Sequence, residues 1–184
     1  MAEQSKMVAL GSRAPDFALP DAGSGRNVKL EDFADAPALL VAFLCNHCPY
    51  VKHVLDVFVS FSREYGPRGL AIVAICSNDA RAYPEDAPPA MAKLAKAKQF
   101  PFPYLHDESQ AVAAAYDAAC TPDFFLFDRS RRLAYRGQFD SSRPSGAAPV
   151  TGADLRAAAD AVLAGRAPSK DQIPSVGCSI KWRR

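Results

Sequence analysis

The chain has 184 residues, 49% of them hydrophobic, with 22 basic and 20 acidic side chains for a net charge of +2. That is enough for one core without disulfide or metal staples, so a single domain over residues 1–184 is expected; the interspersed charges argue against a nucleic-acid partner, since only the short Lys181-Trp182-Arg183-Arg184 tail is basic. No apolar run approaches a membrane span and Met7–Leu10 is too short for a signal-peptide core, so no membrane partner and a cytoplasmic location are expected.

Ala14–Leu19 reads as a short strand, Asp21–Gly25 as a turn and Asn27–Leu30 as the returning strand of a hairpin. Glu31-Asp32-Phe33 opens a brief helical turn before Pro37. Ala38–Leu44 is continuously apolar, the pattern of a strand covered on both faces. From Pro49, the residues Val51, Val54, Leu55, Phe58, Phe61 and Tyr65 recur at helical spacing until Gly66-Pro67, with Lys52 and Asp56 as an exposed i,i+4 pair. Leu70–Cys76 is a second apolar strand, which makes the unit a βαβ crossover.

Further on, Pro88 or Pro89 can open a helix to about Gln99, Pro101–Leu105 is a short strand, and Glu108–Ala119 is an alanine-rich helix. Asp123–Asp128 and Arg132–Arg136 form a second hairpin, and Gln138–Val150 is a loop rich in Ser, Pro and Gly. Thr151-Gly152-Ala153-Asp154 has capping-box spacing and opens a helix that Gly165 closes; from Ala167 the chain reads as irregular. The order predicts an α/β fold in which helices sandwich a mixed central β-sheet, with antiparallel hairpins at either end.

Cys45-Asn46-His47-Cys48 stands at the first strand-to-helix junction. Two cysteines three apart in a first helical turn share a face, and the unsatisfied N–H groups there favour a thiolate. Thiol–disulfide exchange is the leading chemistry, and the competing reading is a metal clip. Zinc takes four ligands, and Cys76, Cys120, Cys178, His53 and His106 supply no second pair at ligand spacing, so no metal and no cofactor are expected. With Cys48 as N-cap, Pro49 takes the favoured first helical position. Cys76 reads as core, His53 and His106 as surface or loop residues, and Arg136 as a solvated strand end.

The chain resembles the thioredoxin superfamily and, within it, the peroxiredoxin-like group related to alkyl hydroperoxide reductase and thiol-specific antioxidant proteins. The residues that carry the resemblance are Ala14-Pro15-Asp16-Phe17, Val28–Phe33, Cys45–Lys52, Tyr83-Pro84-Glu85-Asp86, Cys120–Asp128 and Gly177–Trp182. Against the P-x-x-x-T-x-x-C pattern of peroxiredoxins, Cys48 matches the attacking cysteine, but Cys45 stands at the threonine and Val41 at the proline. Pro122 falls where the activating arginine would be. A second cysteine and a Thr121-Pro122 turn are instead similar to thioredoxin.

The resemblance implies a thioredoxin-like (redoxin) fold with an N-terminal β-hairpin and a thiol–disulfide oxidoreductase. Cys45 would be the exposed attacker and Cys48 the resolver, with His47 between them stabilising a thiolate. Thr121-Pro122 would be a cis turn that offers the Thr121 backbone to an extended substrate. The partners implied are a protein or small-molecule disulfide and a thiol reductant. An alternative is a thiol-dependent peroxidase, in which a hydroperoxide oxidises Cys48 and Cys45 condenses with it; a third reading is a metal-binding protein using both cysteines and His47. Cys120 and Cys178 are candidate third thiols.

Overall fold

A computed structural model describes residues 2–183. Its centre is a five-stranded mixed sheet in the order β6 (Tyr104–His106), β5 (Leu70–Cys76), β4 (Ala38–Phe43), β8 (Asp123–Phe127), β9 (Leu133–Gly137). β4, β5 and β6 run parallel, while β8 and β9 are antiparallel to their neighbours. Helix α1 (Pro49–Tyr65) makes the crossover from β4 to β5, as the sequence predicts.

Every residue of β4 is buried because the strand serves two cores. Leu40 and Ala42 face α1 and α4 (Ala153–Leu163), where Phe58, Phe61, Leu155 and Phe124 pack. Leu39, Val41 and Phe43 face the other layer, with Phe125, Phe127 and Tyr116. A period-2 strand between two apolar layers has no polar positions, hence its unbroken hydrophobic run. Phe58 alone stacks among Phe61, Phe102, Phe124 and Phe139, and burying one such ring contributes about 1.5–3 kcal/mol.

Four expectations need correction. The alanine-rich helix is only α3, Ala111–Ala115, because the Asp107 carboxylate caps the Ala113 N–H, Gln110 takes φ 64° and Asp117 φ 54°. Alanine propensity cannot extend a segment whose flanks are committed to turns. The capping box at Thr151 is absent: Gly152, at φ 67°, is the N-cap of α4, and the buried Asp140 carboxylate accepts from Thr151 N (2.7 Å) and Gly152 N (2.6 Å) while Asp154 accepts from Gln138. Asp56 pairs with Lys98 at 2.7 Å rather than with Lys52.

The fourth correction bears on the site. The C-terminal segment is not wholly irregular: β10 (Val176–Ser179) lies between β1 (Ala2–Gln4) and β7 (Cys120–Thr121) in a separate antiparallel sheet. The first hairpin is present as β2 (Ala18–Pro20) and β3 (Asn27–Lys29). Helix α2 (Pro88–Lys98) begins at the first of its two prolines and buries Met91. No helix among the described residues is long and apolar enough to cross a membrane.

Candidate active site

The chain leaves β4 at Phe43, and Leu44 adds one more bond, its N–H to Ile75 O at 2.9 Å, before the backbone turns into α1. Cys48 is the N-cap, extended at φ −65° and ψ 124°, with Pro49 at the first helical position and its carbonyl accepting the Lys52 N–H at 3.0 Å. The two cysteines therefore do not share a first turn. Cys48 caps the helix and Cys45 lies in the loop before it.

Across from them, the Thr121–Pro122 peptide is cis, as the resemblance implies. Thr121 contacts both sulfurs: its Oγ1 lies 3.1 Å from Cys45 Sγ, and its carbonyl accepts from Cys48 Sγ at 3.2 Å. Its backbone faces no open groove, however, because β10 pairs with β7 and sets Cys178 opposite Thr121. A Cβ on Gly177 would fall 2.0 Å from the Thr121 carbonyl oxygen, so only glycine lets β10 approach this closely. Cys178 packs against the core that contains Cys45 and Cys48, and it is the one half-buried cysteine of the five.

Cys45 is 1% exposed and Cys48 0%, so the outward-facing Cys45 expected by analogy is a buried thiol. The two environments pull in opposite directions. The Cys45 thiol donating to it, with lesser help from the Cys178 thiol and the N–H groups of Val51 and Cys178, outweighs burial and holds the Cys48 thiol down to about 5. Cys45 is pushed far up, first by that same partnership with Cys48, then by burial and the negative charge of Asp86. Cys178 is raised to about 11, chiefly by burial and then by Cys48.

His47 does not point its Nδ1 at a sulfur. That nitrogen donates to the Asp86 carboxylate at 2.6 Å, and the ring stacks on Tyr83 with centroids 5.1 Å apart. Asp86 is fully buried and also accepts from Asn46 N (2.7 Å) and Asn78 Nδ2 (2.8 Å), while Tyr104 donates to Asn46 Oδ1 at 3.1 Å. Asp86, Asn78 and Tyr104 had no assigned role in the sequence, and no local spacing connects them to the cysteines. Sγ of Cys45, a ring nitrogen of His47 and a carboxylate oxygen of Asp86 lie within 4.8 Å of one another, three of the four ligands a zinc ion takes. The three N–H donors already account for the burial of Asp86.

The remaining candidates separate. Cys120 is buried in β7, its thiol 3.7 Å from Pro122 O and raised by burial, and Cys76 is core, pushed up to about 12 by burial. His106 is buried on β6 with Nε2 unpartnered, not a surface residue, and His53 Nε2 lies 3.0 Å from Ser142 Oγ. Arg136 is not solvated: it donates to Val8 O at 2.7 Å and Gln172 Oε1 at 2.7 Å. Asp123, directly after Pro122, is fully buried with neither oxygen hydrogen-bonded, and burial raises its carboxyl well above the usual range.

Paired cysteines at a strand-to-helix junction, facing a cis-proline turn on a mixed sheet, define a thioredoxin-like fold. Residues 9–155 match the Redoxin family, and the chain belongs to it. An uncharacterised conserved protein from Geobacillus kaustophilus is 53% identical, superposes with a TM-score of 0.98, and matches over 100% of this chain and 97% of its own. At the level of fold alone, a thioredoxin-family thiol:disulfide interchange protein from Chlorobium tepidum aligns at 18% identity and a TM-score of 0.64, over 84% of this chain and 98% of its own. Peroxidoxin BcpB from Mycobacterium tuberculosis aligns at 20% identity and 0.62, over 85% and 96%. No curated protein sequence matches the chain.

Proposed function

We propose that the protein is a thiol–disulfide oxidoreductase whose redox centre is the Cys45/Cys48 couple. The observation that carries this is the convergence of both sulfurs on Thr121, one on its hydroxyl and one on its carbonyl. The thiolate is assigned to Cys48, the reverse of the assignment by analogy, because the Cys45 thiol, the Cys178 thiol and the N–H groups of Val51 and Cys178 donate to it while the Asp86 carboxylate stands near Cys45; on ionisation Cys48 gives up its own bond to the Thr121 carbonyl. Cys48 thiolate attacks one sulfur of a disulfide presented to it in the buried site and releases the other as a thiolate. Cys45 then displaces the bound half, leaving a Cys45–Cys48 disulfide and two substrate thiols.

The test is oxidation with diamide, proteolysis and mass spectrometry, together with insulin-disulfide reduction by wild type, C45S and C48S. Oxidised wild type yields the peptide shared by Cys45 and Cys48 two hydrogens lighter, C48S falls to the uncatalysed rate, and C45S falls well below wild type. Full turnover in either variant overturns the assignment.

The low thiol of Cys48 also favours a peroxidase reading, with Cys48 oxidised to a sulfenic acid and Cys45 condensing with it. In this site Thr121 Oγ1 engages Cys45 rather than Cys48, so no side-chain hydroxyl is set to align a peroxide against the thiolate. Orientation can account for about 7 kcal/mol or more of a barrier. Stopped-flow oxidation of Cys48 by hydrogen peroxide is expected at the rate of a simple thiolate. A rate orders of magnitude faster promotes the peroxidase.

A further inference from the structure

Cys48 and Cys45 are buried, and a redox couple that exchanges with external thiols needs a sulfur that solvent can reach. The extended strand that occupies the Thr121 backbone, where an outside peptide would pair, is the chain's own β10. Strand β10 also packs against α1, whose N-cap is Cys48, and the backbone of Lys181, just beyond it, is held by Asn78 Oδ1 at 2.8 Å. Asn78 is in turn held by Asp86, so the network behind Cys45 also fixes the far end of the covering strand. The residue this strand sets opposite Thr121 is a cysteine, half-buried and against the same core as the pair.

We infer that Cys178 is a third redox thiol, presented to Cys48 by β10 as an internal substrate, and that it carries disulfide exchange between the buried pair and external thiols. The inference rests on the Cys45/Cys48 couple proposed above. Starting from the Cys45–Cys48 disulfide, Cys178 attacks Cys48 Sγ; the Cys45–Cys48 bond breaks, the Cys48–Cys178 bond forms, and the proton lost by Cys178 passes to Cys45. No net oxidation occurs in that step. An external thiolate then attacks the outer sulfur, Cys178, and releases Cys48, whose low thiol makes it a good leaving group. A second external thiol cleaves the mixed disulfide, so the protein gains two electrons and two protons and the external thiols leave as one disulfide. The position of Cys178 also explains a C-terminal strand with so little hydrophobic character: it is held by pairing and by the site it covers.

The experiment uses the full chain. Cys45→Ser protein oxidised with diamide is digested with trypsin, which separates residues 30–52, containing Cys48, from residues 171–181, containing Cys178. The expected product is these two peptides joined, in a monomeric chain. In parallel, glutathione reduction of the Cys45–Cys48 disulfide is timed in wild type and in both Cys178→Ser and Cys178→Ala, where a fall of about tenfold or more is expected. Absence of the joined peptides, or an unchanged reduction rate in the Cys178 variants, overturns the relay. Should Cys45→Ser fail to fold, wild type equilibrated in a glutathione redox buffer and quenched in acid must show the joined peptides, and their absence there is equally decisive. Failure of the underlying couple appears separately, as wild type without the shared Cys45–Cys48 disulfide.

Discussion

Cys45 and Cys48 stand three residues apart, almost equally buried and on the same threonine, yet the fold gives them opposite chemistry. Cys48 ends a loop at a helix N-terminus, where N–H groups have no helical acceptor, and β10 brings more donors to it. Cys45 lies on the side of the buried carboxylate Asp86, which serves the loop as an acceptor for Asn46 and His47. Burial raises both thiols, so it cannot distinguish them. What distinguishes them is first the hydrogen bond between them, in which Cys45 donates, and then their surroundings, the donors of β10 and α1 at Cys48 and the Asp86 carboxylate at Cys45, none of which a C-x-x-C pattern contains.

The largest test of this contrast is thiolate titration by ultraviolet absorbance. Reduced wild type is expected to gain thiolate as pH rises through about 5, a step that is lost in Cys48→Ser and retained in Cys45→Ser. In Cys45→Ala the step moves upward, because the Cys45 thiol is the largest single influence lowering Cys48. The linkage signs are also opposite. Cys48, depressed from 9.0, adds stability above its unfolded value that is lost as pH falls through about 5, whereas Cys45, raised, makes stability decline as pH climbs above the unfolded thiol value. Urea midpoints of reduced wild type should therefore rise from about pH 5 and fall again in alkali, and the fall should be shallower in Cys45→Ala, where the raised thiols of Cys76, Cys120 and Cys178 still contribute.

Next in size is Asp86→Ala. It leaves the N–H of Asn46, His47 and Asn78 without their acceptor, at about 1–3 kcal/mol for each that stays buried. Thermal unfolding should show a loss of several kcal/mol, with Asp86→Asn intermediate. An Asp86→Ala protein as stable as wild type would show that this network does not hold the loop.

A smaller and more selective effect is expected from Gly177→Ala. The added methyl meets the Thr121 carbonyl, so β10 must retreat from Cys48 while the bonds of Asp86 to Asn46 and His47 are kept. Iodoacetamide should alkylate Cys48 faster in this variant, and an unchanged rate would mean that β10 does not cover the sulfur. The smallest effect belongs to Thr121→Val, which removes the hydroxyl beside Cys45 and keeps the carbonyl on Cys48. A stability change of about 0.5–1.5 kcal/mol is expected, with the Cys45 thiol raised further and the Cys48 step left near its wild-type pH.

Much of this molecule was legible in the sequence alone. The apolar runs at Ala38–Phe43 and Leu70–Cys76, the helical spacing after Pro49 and the hairpin on Asp123–Phe127 set the sheet and its crossover, because burial on both faces and a 3.6-residue period leave plain traces in residue order. Cys48-Pro49 marked the helix start for a local reason: proline has no N–H to lose there. Only the tertiary structure decided which thiol is lowered and which is raised, that Asp86 stands behind Cys45, and that Val176–Ser179 is a strand over the site. Those outcomes depend on contacts between residues 40 to more than 100 positions apart, such as Asn46 with Asp86 and Asn78 with Lys181. A four-residue strand with a central glycine has no periodicity of its own, and its structure comes from the Thr121 edge it pairs with, which exists only once the sheet has formed.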